Sequence, residues 1–284
     1  MKLVRNFILL LVTVLVFEFT FVKDANAACD ETSGILSKTD ITDDGCESTP
    51  DNYEVIIYKM YLCTSSPTLP TTTSIVDLTN CSLIFNNDAG ATASVAQNSE
   101  VDLTGTYTRP PDGTYSHGYA MMNNTFGITA SFQIDGSMTG QAGGSGVFCR
   151  TVAGSGTHSS TSSHSNGSSC SATETAAEKF TETLTHFGGV GETWTVQDTA
   201  ENINGTSASI TGILVDSDGN LAAAESEVDK LEGLVAFANP INVTANTSSL
   251  TMSFNLGQGM SLHQAGTDII NIGSGPFQAI MTAN

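Results

Sequence analysis

Basic residues are scarce in this chain: 9 Lys and Arg stand against 29 Asp and Glu, a formal net charge of −20. Phosphate backbones and anionic membrane surfaces repel such a polyanion, which excludes nucleic-acid binding as a main function. Aromatic residues are few, and tryptophan occurs once, at Trp194. No C-x-x-C occurs, so neither a zinc ribbon nor a thioredoxin-like site is signalled. H-E-x-x-H and the G-x-S-x-G elbow are missing too, and serines are too abundant for any one of them to mark a nucleophile. Beyond the first residues no apolar run is long enough to cross a membrane.

The first residues read as a secretory signal peptide spanning 1–27. Lys2 and Arg5 form its basic start, residues 7–17 its apolar centre, and Ala25-Asn26-Ala27 a small-x-small cleavage site. A lipoprotein alternative would acylate Cys29, but Asn26 stands where a lipobox has Leu. Cleavage after Ala27 leaves 257 residues with 6 basic and 27 acidic side chains, a net charge of −21. That length suits one large secreted β domain, residues 28–284. The alternative is two lobes, 28–152 and 176–284, joined by a Ser- and His-rich loop.

All six cysteines, Cys29, Cys46, Cys63, Cys81, Cys149 and Cys170, lie beyond the cleavage site. An even count after a leader implies a disulfide framework in an oxidising compartment, and acylation of Cys29 would break that parity. The sequential pairing, Cys29–Cys46, Cys63–Cys81 and Cys149–Cys170, closes the shortest loops and is the expected one.

What is abundant is the β-strand pattern. Residues 53–63 are the densest run of β-formers. Val55, Ile57, Lys59 and Tyr61 alternate with Ile56, Tyr58, Met60 and Leu62, which predicts a central strand covered on both faces. Residues 126–134 alternate cleanly, and Asp135-Gly136 predicts a tight hairpin there. Residues 153–175 are low-complexity Ser, Gly, His and Thr, expected to be a surface loop. Residues 175–196 read as a strand hairpin in preference to a helix capped by Thr175 and Glu178. Residues 222–232 carry the one helix-favouring composition. About a dozen strands at spacings near ten residues predict an all-β fold, a disulfide-stapled antiparallel β-sandwich or barrel-like domain with long Ser/Thr/Gly-rich loops.

The candidate site residues are few. Asp216, Asp218 and Asn220 place side-chain oxygens at alternating positions, as the start of a calcium loop does. Gly219 is fourth in that run, however, where an EF-hand wants Gly sixth, so a hairpin turn is the simpler reading. Calcium is the one cofactor this run suggests; otherwise none is expected. Trp194 with Tyr115 and Tyr119 would make a sugar-stacking platform if exposed, and would be core if not. No catalytic residues are assigned. His158 and His164 fall in the low-complexity loop, and His117 lies on a strand.

These features point to a non-enzymatic extracellular or cell-surface β-protein, a structural or appendage subunit or an adhesin, secreted to a periplasmic, extracellular or surface location. A carbohydrate-binding module, assisted by calcium, is the alternative, and a secreted hydrolase with an unrecognised site is the third reading. The expected partners are another copy of the chain or a surface glycan, with no nucleic acid and no transmembrane segment after cleavage.

Overall fold

The computed structural model describes residues 28–97, 99–161, 167–187, 195–203 and 206–284. The leader expected over 1–27, His164 and Trp194 lie outside the described residues. The protein is nearly all β, 59% strand and 3% helical, with sheets curled into a half-barrel and three disulfides.

In chain order the described strands are β1 (Glu31–Thr32), β2 (Ile35–Leu36), β3 (Cys46–Ser48), β4 (Asn52–Cys63), β5 (Cys81–Val95), β6 (Thr106–Tyr107) and β7 (Gly113–Asn123). Next come β8 (Thr125–Thr129), β9 (Ser131–Gly140), β10 (Ser145–Thr151), β11 (Gly154–His158), β12 (Ser168–Ser171) and β13 (Phe180–Leu184). The last are β14 (Val196–Ile203), β15 (Thr206–Val215), β16 (Lys230–Val243), β17 (Leu250–Asn255), β18 (Met260–Gln264), β19 (Ile269–Ser274) and β20 (Gln278–Ala283). The helix-favouring stretch yields only a 3-10 turn, Glu225–Glu227.

β4 is the strand on which the ten-stranded sheet is built. It pairs with β5 along one edge and with β7 and then β8 along the other. The expected unbroken alternation fails in its middle. Tyr53, Val55 and Ile57 are buried, and then Met60 and Leu62. The register with both neighbours shifts between Ile57 and Lys59. A β-bulge there adds one residue and transfers burial from odd to even positions. The second face is therefore freed beyond the bulge for Tyr61 and Cys63.

The eight-stranded sheet runs β1-β2-β9-β19-β18-β3, with β10 on β9 and β12 on β10. Chain segments before and after residue 153 interleave in both sheets: β7 pairs with β16, β9 with β19, and β3 with β18. The chain passes from the larger sheet to the smaller at Ala130, between β8 and β9. Thr151 holds this corner, its amide donating to the Ala130 carbonyl at 2.9 Å while its Oγ1 accepts from the Ala130 amide at 3.0 Å. A strand that changes sheets at a corner is how two sheets share one core. That core includes an aromatic group, Tyr53, Phe126, Phe254 and Phe277, with ring centroids 5.2–6.1 Å apart.

Three sequence expectations are corrected. Asp135-Gly136 is no turn, because β9 runs straight through it. The Asp135 carboxylate accepts the Lys38 amide at 2.8 Å, and a Cβ on Gly136 would stand 2.7 Å from Lys38 Cδ, so this glycine gives Lys38 passage across the strand. The chain reverses later, at Gly143 (φ +109°) and Gly144 (φ +77°), positions that only glycine occupies without strain. The low-complexity segment is not simply a loop. It contributes β11, which pairs in parallel with β13, and β12, whose Ser168 and Cys170 are buried. Finally, residues 180–184 do form a strand, but β13 pairs with β8 and β11 while β14 pairs with β15, so the two are not a hairpin.

Candidate functional site

The face opened by the β4 bulge carries the larger group of buried chemistry. Tyr61 and Cys63 of β4, Tyr119 of β7, Leu234 of β16 and Ile213 and Val215 of β15 form a second apolar cluster, separate from the main core. Residues 64–80 fold over it as a cap, contributing Leu69, Val76 and Leu78. Cys63–Cys81 closes the base of the cap, and the Leu221 amide donates to Thr71 O at 2.9 Å, tying its far side down.

Beneath the cap, Tyr119 donates its hydroxyl hydrogen bond to Glu232 Oε2. Glu232 is fully buried, and its Oε1 makes no hydrogen bond. Burial pushes its pKa up to about 7, against the opposing pull of the Tyr119 hydrogen bond and the Lys230 charge. Burial and Glu232 together raise the Tyr119 hydroxyl well above the usual phenol range.

A second buried carboxylate, Glu182 of β13, serves a different purpose. Its Oε2 accepts from the amide and hydroxyl of Ser274 at 2.6 and 2.5 Å, joining the larger sheet to the smaller. Glu182 lies opposite Phe126 and Glu232 opposite Met121, five residues apart along β7–β8. At about 3.4 Å per residue that is roughly 17 Å, beyond the roughly 5–9.5 Å of a glycosidase carboxylate pair. Ser116 and His117 make a Ser–His contact of 2.8 Å, but the Ser116 hydroxyl is committed to Thr64 O at 3.0 Å, so the imidazole donates to the serine and does not activate it.

Residues 216–220, read as a hairpin turn with a calcium loop as the alternative, form a self-contained turn. Asp216 Oδ1 accepts the amides of Asp218 and Asn220, each at 2.9 Å, and the Asp216 amide donates to Asn220 O at 2.9 Å. Gly219 takes φ +86°. The carboxylate thus satisfies the turn's own amides, as an Asx turn does. Among the described residues no group of three His, Cys, Asp or Glu is arranged to hold a metal ion.

The sugar platform expected of Tyr115 and Tyr119 is not formed by those two residues, each only 2% exposed. Tyr115 donates to Pro111 O at 2.8 Å and packs in the main core, while Tyr119 lies under the cap. The two lie four residues apart on β7, yet belong to different apolar clusters. The disulfides join Cys29 to Cys46, Cys63 to Cys81 and Cys149 to Cys170. The last two link residues directly opposite each other on paired strands.

Sequence reasoning missed an open groove of about 200 Å³ on the smaller sheet. Two cross-strand pairs, Gln133 with Phe148 and Ser131 with Arg150, form its floor. Glu174 and Thr175 make one wall, and Gly34 lines the opposite side. The wall is held by Ser171, whose hydroxyl donates to Thr173 O at 2.5 Å and contacts Thr175 Oγ1 at 3.1 Å. Arg150 is steadied by Thr151 O at 3.3 Å and Glu178 at 3.4 Å. The signal for it was faint: Arg150 is one of only six basic residues after position 27, and it sits beside a cysteine.

Comparison with protein-family models, with curated proteins and with solved structures finds no match to this chain.

Proposed function

We propose that this is a non-enzymatic extracellular or cell-surface β-protein, a structural or appendage subunit or an adhesin. The observation that carries the reading is the placement of the disulfides. Each ties an irregular or low-complexity segment to a sheet strand: residues 30–45, the cap 64–80, and the segment before Cys170. This build suits a chain that must persist unassisted in an oxidising medium. A mature charge of −21 keeps such a protein soluble, and its Ser-, Thr- and Gly-rich strands present hydroxyls and backbone to the outside.

The test is to follow the full chain in its native cells. Mass spectrometry of the exported protein should give an unmodified N-terminus at Ala28, and surface labelling with a membrane-impermeant amine reagent should reach Lys59, Lys179 or Lys230. Retention in the cytoplasm with reduced cysteines would overturn the proposal.

A further inference from the structure

We propose that the groove over Phe148 is a saccharide-binding subsite that takes one neutral six-membered sugar ring. This deepens the surface-protein reading by naming a ligand class, and it rests on that reading.

The floor has the composition that a sugar ring requires. Phe148 and Gln133 are cross-strand partners, as are Arg150 and Ser131, so all four side chains share the outward face of β9 and β10. Between them, Phe132 and Cys149 also line the groove while packing against the core. Phe148 is half-buried and lines the groove. An aromatic face packs against the axial C–H groups of a pyranose through dispersion and burial of apolar area.

Hydroxyl recognition needs donors and acceptors side by side. Gln133 offers both, Arg150 offers N–H groups, and Glu174 offers a carboxylate. The charges argue for a neutral ligand. Arg150 is offset by Glu178 at 3.4 Å and by Glu174 across the groove. An anionic sugar or a phosphate would meet a site with no surplus positive charge in a chain of strongly acidic character.

The size fits as well. At about 200 Å³ the groove is smaller than the roughly 300–1,000 Å³ of sites that enclose a drug-sized ligand. It is open to solvent, so it would seat one ring while the remainder of a glycan continues outward. The frame is rigid: Cys149–Cys170 ties β10 to β12 directly beneath the floor. A rigid frame lowers the ordering cost of binding.

The test is calorimetric titration of the purified mature protein with the methyl glycosides of glucose, galactose, mannose and N-acetylglucosamine. At least one should bind, with Kd of about a millimolar. Phe148→Ala should weaken that binding by about tenfold or more, whereas Phe148→Tyr, which keeps the ring, should retain it. Glu174→Ala, on the exposed wall, should weaken it by about threefold with an unchanged melting temperature, and this variant decides the matter if Phe148→Ala fails to fold. The proposal is overturned if none of the four glycosides binds at about 50 mM, or if affinity is unchanged in Glu174→Ala and, where it folds, in Phe148→Ala. Because binding is measured in solution on purified protein, its failure leaves the surface location standing, and mislocalisation leaves the binding result standing.

Discussion

Tyr119 and Glu232 are diagonal neighbours on adjacent strands beneath the 64–80 cap, the phenol donating to one carboxylate oxygen while the other makes no hydrogen bond. Tyr119 belongs to the capped apolar cluster, and Glu232 is fully buried. Leaving a carboxylate oxygen unsatisfied and buried is costly when it is charged and tolerable when it is protonated.

The pH dependence of stability follows from this. The folded pKa of Glu232, about 7, lies above its ordinary value of 4.5, so the folded state holds the proton more tightly than the unfolded chain does. The contribution is fully present below about pH 4.5 and is lost as pH rises through 7, amounting to about 3 kcal/mol. Urea denaturation should show wild-type stability falling over that window. Glu232→Gln, which still accepts the Tyr119 hydrogen bond, should flatten this part of the curve and be the more stable protein at pH 8. Parallel curves for the two proteins would show that Glu232 stays ionised.

The Cys63–Cys81 disulfide should matter more than its exposed loop suggests. Its removal by Cys63→Ala with Cys81→Ala frees an 18-residue separation and should cost about 3 kcal/mol. It should also uncover Tyr61 and Tyr119, so tyrosine fluorescence quenching by acrylamide should increase in the folded protein. Unchanged quenching would show that the cap stays seated through its apolar contacts alone.

Two glycines should respond oppositely to alanine. A Cβ on Gly146 would fall 2.0 Å from the Ser171 backbone, forcing β10 away from β12, and Gly146→Ala should cost about 3 kcal/mol. At Gly154 a Cβ would meet the Phe180 ring at an ordinary 3.7 Å, and Gly154→Ala should be neutral or stabilise by about 0.5 kcal/mol. Thermal melts of both variants provide the comparison.

For the Asp216 turn, Asp216→Ala removes the acceptor of two backbone amides and should cost about 1–2 kcal/mol. That loss should be the same with and without millimolar calcium, and calcium should raise the wild-type melting temperature little. A rise of about ten degrees would mean that the cation and not the Asx turn organises residues 216–220.

Local signals in the chain were enough for the strand character of β4 and β8, since alternation and β-branched residues act within a few positions. Cysteine parity and short spacings were enough to suggest which sulfurs meet. Other features were illegible for identifiable reasons. Asp135-Gly136 carries a strong turn signal, yet Lys38, about a hundred residues away, needs both its carboxylate and its missing Cβ. The Ser- and Gly-rich segment has no core-forming composition of its own, and β11 and β12 exist because β13 and β10 offer open edges for pairing. The groove over Phe148 was invisible because its residues converge from four stretches of chain.

By itself, then, the sequence determined an all-β, acidic, disulfide-bonded chain, because composition, periodicity and cysteine count are local properties. Only the tertiary structure decided which face each strand buries, where the chain reverses and which polar groups are enclosed. A bulge at Tyr58 shifts burial by one residue, and a one-residue shift carries every later side chain of a strand to the opposite face. That is why Tyr61 packs against Tyr119 beneath the cap instead of joining the main core.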